Sequence, residues 1–310
     1  MNAVLNAALP IFALIFVGYL CGRFGLFSRE ATDSLNRFAI YLALPALMFL
    51  AMSKITPEQV SQVGFALAFA GGIAITFALG FALSRLRGHR VANASIEGLD
   101  AGYSNVGFMG IPLCLLVFGQ SGLPAAVIAT LFTACVLFLF AIVLIEADLH
   151  RGAGLWRTVR KVLLSLARNP LLIAPVAGLA IGMTELPLPG SIERFVSLLG
   201  GAASPCALVC IGLFLAQERV VSDDATSIGV LVGLKLLVQP AATAVLAFYV
   251  FDVPLLWSKA AVLLSSLPIG SGPFTIAKLY GLEAGVTSGA ILMSHLVSVV
   301  TVSILVAWLG

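Results

Sequence analysis

Charged side chains are scarce in this sequence. Lysine, arginine, aspartate and glutamate make up 10% of the 310 residues, whereas hydrophobic residues make up 60%. An ordinary soluble domain carries about 25% charged residues. The shortage excludes such a domain, and a net charge of only +3, scattered over loops, argues against a nucleic-acid-binding surface. We therefore predict a multi-pass membrane protein whose surroundings are the lipid bilayer.

Histidine and cysteine are also few, with three and five residues respectively. Cys206 and Cys210 share a helical face, but no other cysteine or histidine is close enough in sequence to complete a soft-metal site. There is no H-E-x-x-H motif. The segment IGSG at 269–272 lacks the first glycine of a serine-hydrolase elbow. We expect no metal, no cofactor and no enzyme; an intramembrane hydrolase using Ser271 and His295 is the remote alternative.

Long apolar segments dominate the chain. A membrane-spanning helix needs about 20 mostly apolar residues. The first segment has no basic residue before it and no clear cleavage site, so we interpret it as a membrane helix rather than a signal peptide. Ten segments meet the length criterion: 3–22, 34–53, 61–84, 93–118, 123–147, 165–183, 191–216, 226–250, 255–280 and 284–309.

The two halves of the chain, 1–150 and 151–310, share a pattern of proline and glycine. Four pairs recur at a shift of 160 positions: Pro10 and Pro170, Gly18 and Gly178, Gly22 and Gly182, Pro45 and Pro205. Pro112 and Pro273 match at a shift of 161. Five helices per half is an odd number, so the second half must enter the membrane upside down. The sequence predicts two inverted five-helix repeats.

Helix-breaking residues interrupt two of the apolar segments, YSNVGFMGIP at 103–112 in helix 4 and SSLPIGSGP at 265–273 in helix 9. Proline removes a backbone donor and glycine loosens the helix, so each break frees polar backbone groups. Hydrocarbon cannot satisfy these groups. A matched pair of broken helices indicates the binding site of a transporter.

Several residues at these breaks are candidates for substrate binding. The amide of Asn105 can both donate and accept, so it could meet a carboxylate or form an interhelical hydrogen bond. The amides at the starts of the half-helices suit an anion. Gly107, Gly110 and Pro112 are further candidates, expected to shape the first break more than to touch substrate. The partner break in helix 9 completes the candidate substrate-binding set with Ser266, Pro268, Ser271 and Pro273.

Polar residues elsewhere in the apolar segments are further candidates. A lysine at mid-bilayer costs about 2.5–3.5 kcal/mol, so Lys235 either holds an anion, replaces a coupling cation, or snorkels to the interface. Gln239 shares its helical face. Asp100 could pair with Lys235, relay a proton, or remain solvated. Histidine side chains ordinarily titrate near neutral pH, so His295 could be a proton carrier, although a packed structural role is the alternative.

Lysine and arginine are distributed unequally between the two sides of the predicted topology. Thirteen fall on the side that includes the midpoint loop, and three on the other. The positive-inside rule places the midpoint loop in the cytoplasm. We expect both termini outside, in the cell inner (plasma) membrane.

The sequence resembles the auxin efflux carrier family, whose fold is similar to that of the bile acid–sodium symporters. The resemblance covers nearly the whole chain and rests on LPIF at 9–12, GY at 18–19, GL at 25–26, LALPA at 42–46, NVGFMGIPL at 105–113 and KLLVQP at 235–240. It implies ten helices in two inverted halves, with helices 4 and 9 crossing near the midplane.

The resemblance also implies a division of labour and a function. Helices 1, 2, 6 and 7 would form a panel domain that moves against a core domain of helices 3, 4, 5, 8, 9 and 10. Family members export small organic anions, auxin in plants and dicarboxylates such as malate or malonate in bacteria. A sodium-coupled importer remains the alternative. The substrate's identity, the coupling ion and a homodimer stay open.

Overall fold

The computed structural model describes residues 9–149, 160, 164, 167–184, 186–217 and 224–309. In these ranges the regular elements are helices. We number them α1 Leu9–Arg23, α2 Arg29–Ser53, α3 Val63–Leu86, α4 Val91–Gly102, α5 106–118, α6 123–149, α7 Pro170–Gly182, α8 Gly190–Gln217, α9 Ala225–Val250, α10 Leu255–Ser265, α11 Gly272–Leu279 and α12 Gly285–Leu309.

These helices bear out a multi-pass membrane protein. Three shorter helices, α1, α7 and α10, are also apolar. In the described part of the chain, six helical stretches are long and apolar enough to cross a membrane: Arg29–Ser53, Pro57–Leu86, Val106–Leu149, Gly190–Gln217, Ala225–Val250 and Gly285–Leu309.

Helix boundaries differ from the predicted ones at the polar ends. The second helix begins at Arg29 rather than 34, because Ser28 caps it by accepting a hydrogen bond from the Ala31 amide at 3.2 Å. Hydropathy alone does not detect this polar first turn. Residues 3–8 of the first predicted span, and most of the basic midpoint loop, lie outside the described residues.

Three prolines have a common effect on the helices that contain them. Proline has no N–H to donate to the carbonyl four residues earlier, so the helix widens into a π-type turn just before it. The three turns and their prolines are Ala39–Ala43 before Pro45, Val106–Gly110 before Pro112, and Leu234–Val238 before Pro240.

Two pairs of helices pack with their backbones in near contact. A Cβ atom on Gly18 of α1 would overlap the carbonyl oxygen of Val209 in α8. Likewise, one on Gly178 of α7 would overlap that of Phe49 in α2. Both glycines and both partners are 160 positions apart. The same interface therefore occurs twice, with the two halves of the chain exchanging roles.

A second group of helices forms around α3. Gly72 of α3 lies against Thr243 of α9, and Gly80 lies against the backbone of Glu97 in α4. Phe65 of α3 meets Trp257 of α10 edge to face, with ring centroids 5.1 Å apart. Through these contacts, α4 and α10, the helices that precede the two breaks, both pack against buried residues of α3.

Candidate functional site

The two predicted breaks are present, and they contact each other. The chain leaves the helical conformation between α4 and α5 and again between α10 and α11. At the crossing, the backbone N–H of Asn105 donates to the Pro268 carbonyl at 2.9 Å, and the backbone N–H of Gly270 donates to the Tyr103 carbonyl at 3.1 Å. These bonds form an antiparallel bridge that satisfies backbone groups freed by the breaks.

A serine of α12 forms a hydrogen bond with the crossing. The hydroxyl of Ser294 accepts a hydrogen bond from the Ile269 amide at 3.1 Å and donates to the Ile291 carbonyl at 2.8 Å. Ser294 and Ile269 are completely buried. The sequence analysis missed Ser294, because one serine in an apolar helix gives no signal of which backbone amide it faces.

The prolines and glycines at the breaks act through the backbone. Pro268 supplies a carbonyl oxygen to the crossing. Pro273 lies in the first turn of α11, where a missing N–H costs little, whereas Pro112 follows the wide turn inside α5. A Cβ on Gly110 would meet two leucine side chains, whereas one on Gly107 would meet only the Thr130 methyl group at 3.5 Å. The role of Gly107, Gly110 and Pro112 in shaping the first break stays a prediction.

Two cavities reach the crossing. The polar cavity, about 460 Å³, extends from the crossing to α2 and α8 and includes Arg29, Asp33, Asn36, Gln217 and His295. The aromatic cavity, about 480 Å³, includes Tyr103, Phe138, Asn169 and Tyr280. Both volumes are typical of small-molecule sites. Asn105, Phe108 and Ser271 line both cavities.

Asn105 and His295 contact each other at the floor of the polar cavity. The Asn105 amide nitrogen lies 3.4 Å from His295 Nε2, and His295 Nδ1 lies 2.9 Å from the Ile291 carbonyl oxygen. Both side chains are more than nine-tenths buried. The structure thus brings together two residues that the sequence analysis assigned to separate roles.

Lys235 and Gln239 lie behind the crossing. The Lys235 ammonium, with a side chain 0% exposed, donates to the carbonyl of Ser265 at 2.7 Å. The Gln239 amide donates to the carbonyl of Gly102 at 3.2 Å. Ser265 and Gly102 are the last residues of α10 and α4. The two side chains therefore cap the negative ends of both helices that precede the breaks.

This placement corrects part of the prediction for Lys235. A snorkelling lysine would reach the interface, whereas this ammonium is enclosed, because the wide turn before Pro240 directs it toward the C-terminus of α10. Neither Lys235 nor Gln239 lines the polar or the aromatic cavity. Ser266 also lies away from both cavities, since its hydroxyl donates to the Leu263 carbonyl of its own helix at 2.7 Å.

Asp100 is buried and forms no pair with Lys235. Its side chain is 0% exposed, and one carboxylate oxygen accepts a hydrogen bond from Thr287 of α12 at 2.8 Å. The other oxygen has no hydrogen-bond partner within the described chain. Interfacial solvation of Asp100 is therefore wrong, because α12 covers it. The polar contacts toward the surface belong to Glu97, which bonds Ser84 and His89 at 2.8 Å each.

Comparison with known proteins gives matches over almost the whole chain. Residues 3–306 match the family described as membrane transport protein. A Rhizobium meliloti protein, provisionally named a malonate transporter, is 33% identical, with 98% of this chain and 95% of that protein covered. A rice protein (Oryza sativa), provisionally named auxin efflux carrier component 5a, is 26% identical, with 95% and 93% covered.

A third relative is more distant. An uncharacterised transporter of Escherichia coli, YfdV, is 25% identical, with 76% of this chain and 75% of that protein covered. The names of these relatives are those of transporters rather than enzymes. The sodium-coupled alternative gains no support from them.

Proposed function

We propose that this chain exports a small organic anion by alternating access. The premise is that the chain belongs to the membrane transport protein family, which includes the auxin efflux carriers. One observation carries the proposal. Asn105 and Ser271, at the crossing of the two broken helices, line both cavities. The proposed topology puts Gln217 of the polar cavity and Tyr280 of the aromatic cavity at cytoplasmic helix ends, the side from which an exported anion must enter.

The proposed architecture is ten transmembrane helices in two inverted repeats, with the crossing near the midplane. The repeated glycine contacts support it, since Gly18 with Val209 and Gly178 with Phe49 are the same interface with the halves exchanged. Gly119 after α5 and Gly281 after α11 also correspond, with φ of 65° and 63°. In this arrangement α1, α2, α7 and α8 form the panel domain, and the termini lie outside.

The chemistry of the crossing favours an anion. Helices α5 and α11 both begin at the crossing. Backbone amides in the first turn of a helix have no partner within it and attract negative charge. Asn105 and Ser271 add side-chain hydrogen-bonding groups. A malonate-like carboxylate is consistent with this setting and with the name of the Rhizobium relative.

Lys235 supports transport without a sodium ion. Its side-chain nitrogen already donates a hydrogen bond to the C-terminal end of α10, the place that a bound cation would otherwise take. An anion leaving a cell that is negative inside gains about 2.3 kcal/mol per charge per 100 mV. Export could run on this potential, whereas a sodium-coupled importer would lose uptake into vesicles when the sodium gradient is removed.

Ligand-induced stabilisation of the purified protein tests the proposal. We expect malonate to raise the unfolding temperature, because a ligand at about 100 times its Kd stabilises the folded state by about 2.7 kcal/mol. Asn105→Ala should lose most of this shift. Asn93→Ala is the matched control, since Asn93 lies in α4 outside both cavities. If no mono- or dicarboxylate in a panel stabilised the parent protein, the substrate class would be wrong.

A further inference from the structure

The contacts of His295 determine where its proton lies. The carbonyl oxygen of Ile291 can only accept, so the Nδ1 atom facing it at 2.9 Å must carry hydrogen. A neutral imidazole has one such hydrogen, which leaves Nε2 as an acceptor. The group 3.4 Å away must then be the donor end of Asn105, its NH₂. With a neutral imidazole, the side-chain amide of Asn105 can therefore face His295 in only one of its two orientations.

This orientation limits what Asn105 offers to an anion. With one N–H of its NH₂ group donated to His295, Asn105 keeps only one N–H and its carbonyl oxygen for the rest of the site. An amide oxygen accepts hydrogen bonds and repels a carboxylate. While His295 is neutral, the site thus has one donor from Asn105 and no positive charge from the imidazole.

A proton on His295 reverses the arrangement. When Nε2 gains hydrogen it becomes a donor, and Asn105 must turn its amide by a half rotation about Cβ–Cγ so that its oxygen faces the imidazole. Both N–H groups of Asn105 are then free toward the cavity. The site acquires a positive charge and a second free donor, and each attracts a carboxylate.

We propose that His295 takes up a proton when a carboxylate binds at Asn105, so that the carrier moves the anion and the proton together. This inference rests on the proposed function and identifies its coupling site. One proton and one carboxylate enter, and the product is an imidazolium beside a carboxylate with the Asn105 amide turned between them. No bond other than the N–H bond at Nε2 is formed. A monocarboxylate would move without net charge, so the membrane potential would drive export only of a dicarboxylate, which keeps one negative charge.

The surroundings of His295 leave this charge to be balanced by the substrate. In the described part of the chain, no carboxylate lies within ion-pair distance of the imidazole. Lys235 of α9 and Asp100 of α4, on helices packed against α12, are held by Ser265 and Thr287 respectively. The other titratable groups of the polar cavity are Cys210 of α8, and Arg29 and Asp33 of α2.

Calorimetry of malonate binding tests the coupling on the full-length protein. Titrations at neutral to mildly alkaline pH, where malonate carries both charges, are repeated in buffers of different ionisation enthalpy to count protons. We expect one proton taken up per malonate bound and an affinity that weakens about tenfold per pH unit. His295→Gln should bind malonate with no proton uptake, while His89→Gln, the control, keeps it.

The outcomes separate this inference from the proposed function. If malonate and a panel of monocarboxylates all fail to bind the parent protein, the proposed function and the coupling at His295 are both wrong. If malonate binds the parent without proton uptake, or if His295→Gln keeps the uptake, the proposed function stands and the coupling at His295 is overturned.

A spectroscopic measurement covers the case in which His295→Gln does not fold. The sequence has three histidines, so replacing His89 and His150 by glutamine leaves His295 as the only imidazole. Its ¹⁵N NMR spectrum should show hydrogen on Nδ1 alone without ligand and on both nitrogens with malonate. Hydrogen on Nε2 alone without ligand, or a spectrum unchanged by saturating malonate, would overturn the inference.

Discussion

Two groups of helices in this molecule are built from different kinds of contact. In the first, α1 with α8 and α2 with α7, glycine lets one backbone lie directly on another. In the second, α3 to α6 and α9 to α12, buried polar groups hold carbonyls and amides at the crossing. Of the buried polar residues in the described chain, only Thr32 belongs to the first group.

The contrast shows which physical interaction holds each group together. Between apolar helices in lipid, close backbone approach supplies van der Waals contact without needing polar groups. A broken helix, in contrast, leaves backbone groups that only polar partners can satisfy. The first group therefore depends on small side-chain volume. The second, which also has close glycine contacts at Gly72 and Gly80, depends on hydrogen-bond geometry as well. Three substitutions test this contrast.

Enlarging a glycine of the first group should have the largest effect on stability. Gly18→Val places a branched side chain against the Val209 carbonyl, which cannot move aside without shifting α8. Overpacking costs about 1–3 kcal/mol and sometimes more, and we expect the upper end here, measured by thermal unfolding in detergent. Gly229→Ala of α9, where nothing lies within 4 Å, is the control and should be neutral or stabilising. Equal losses from both variants would refute the argument from close packing.

Removing the ammonium of Lys235 should lower stability less but abolish transport. Lys235→Met leaves the Ser265 carbonyl buried without its donor, a loss of about 1–3 kcal/mol. It also removes the charge that balances the end of α10. Lys259→Met is the control, because Lys259 also donates to a helix-terminal carbonyl, that of Leu309, but away from the crossing. Malonate transport in proteoliposomes is the readout, and normal transport by Lys235→Met would contradict this account.

Removing the Ser294 hydroxyl, which is hydrogen-bonded to the crossing, should have the smallest effect. Ser294→Ala leaves the Ile269 amide without its acceptor, which costs about 1 kcal/mol, and we expect a partial loss of malonate transport. Ser298→Ala removes a hydroxyl that bonds only the His295 carbonyl within its own helix, so it should change little. If both variants behaved alike in thermal unfolding and transport, Ser294 would have no special part in supporting the crossing.

The same contrast explains how much the sequence could predict. The breaks were predictable because proline and glycine act on their own segment, and their positions in YSNVGFMGIP and SSLPIGSGP are visible without any partner. Burial of Lys235 was also predictable from its apolar neighbours. Its hydrogen bond to Ser265 was not, because it depends on how α9 is rotated against a helix 30 residues away.

Partners far apart in the sequence account for the other failures. Pairing with Lys235 was one of the alternatives for Asp100, but Asp100 bonds Thr287, 187 residues away. The contact of Asn105 with His295 joins residues 190 apart. An isolated polar residue in an apolar helix indicates that some partner is needed, but its identity is set by helix rotation, which apolar periodicity barely constrains here.

The antiparallel bridge at the crossing also has a consequence for how the chain is made. Residues 103–105 are synthesised more than 160 positions before residues 268–270, whose backbone supplies their hydrogen bonds. Until the later segment is inserted, the earlier one has polar backbone atoms and no partner in the protein. The fourth apolar segment must therefore wait beside water, lipid headgroups or the insertion machinery, and the crossing closes only after most of the protein has been translated.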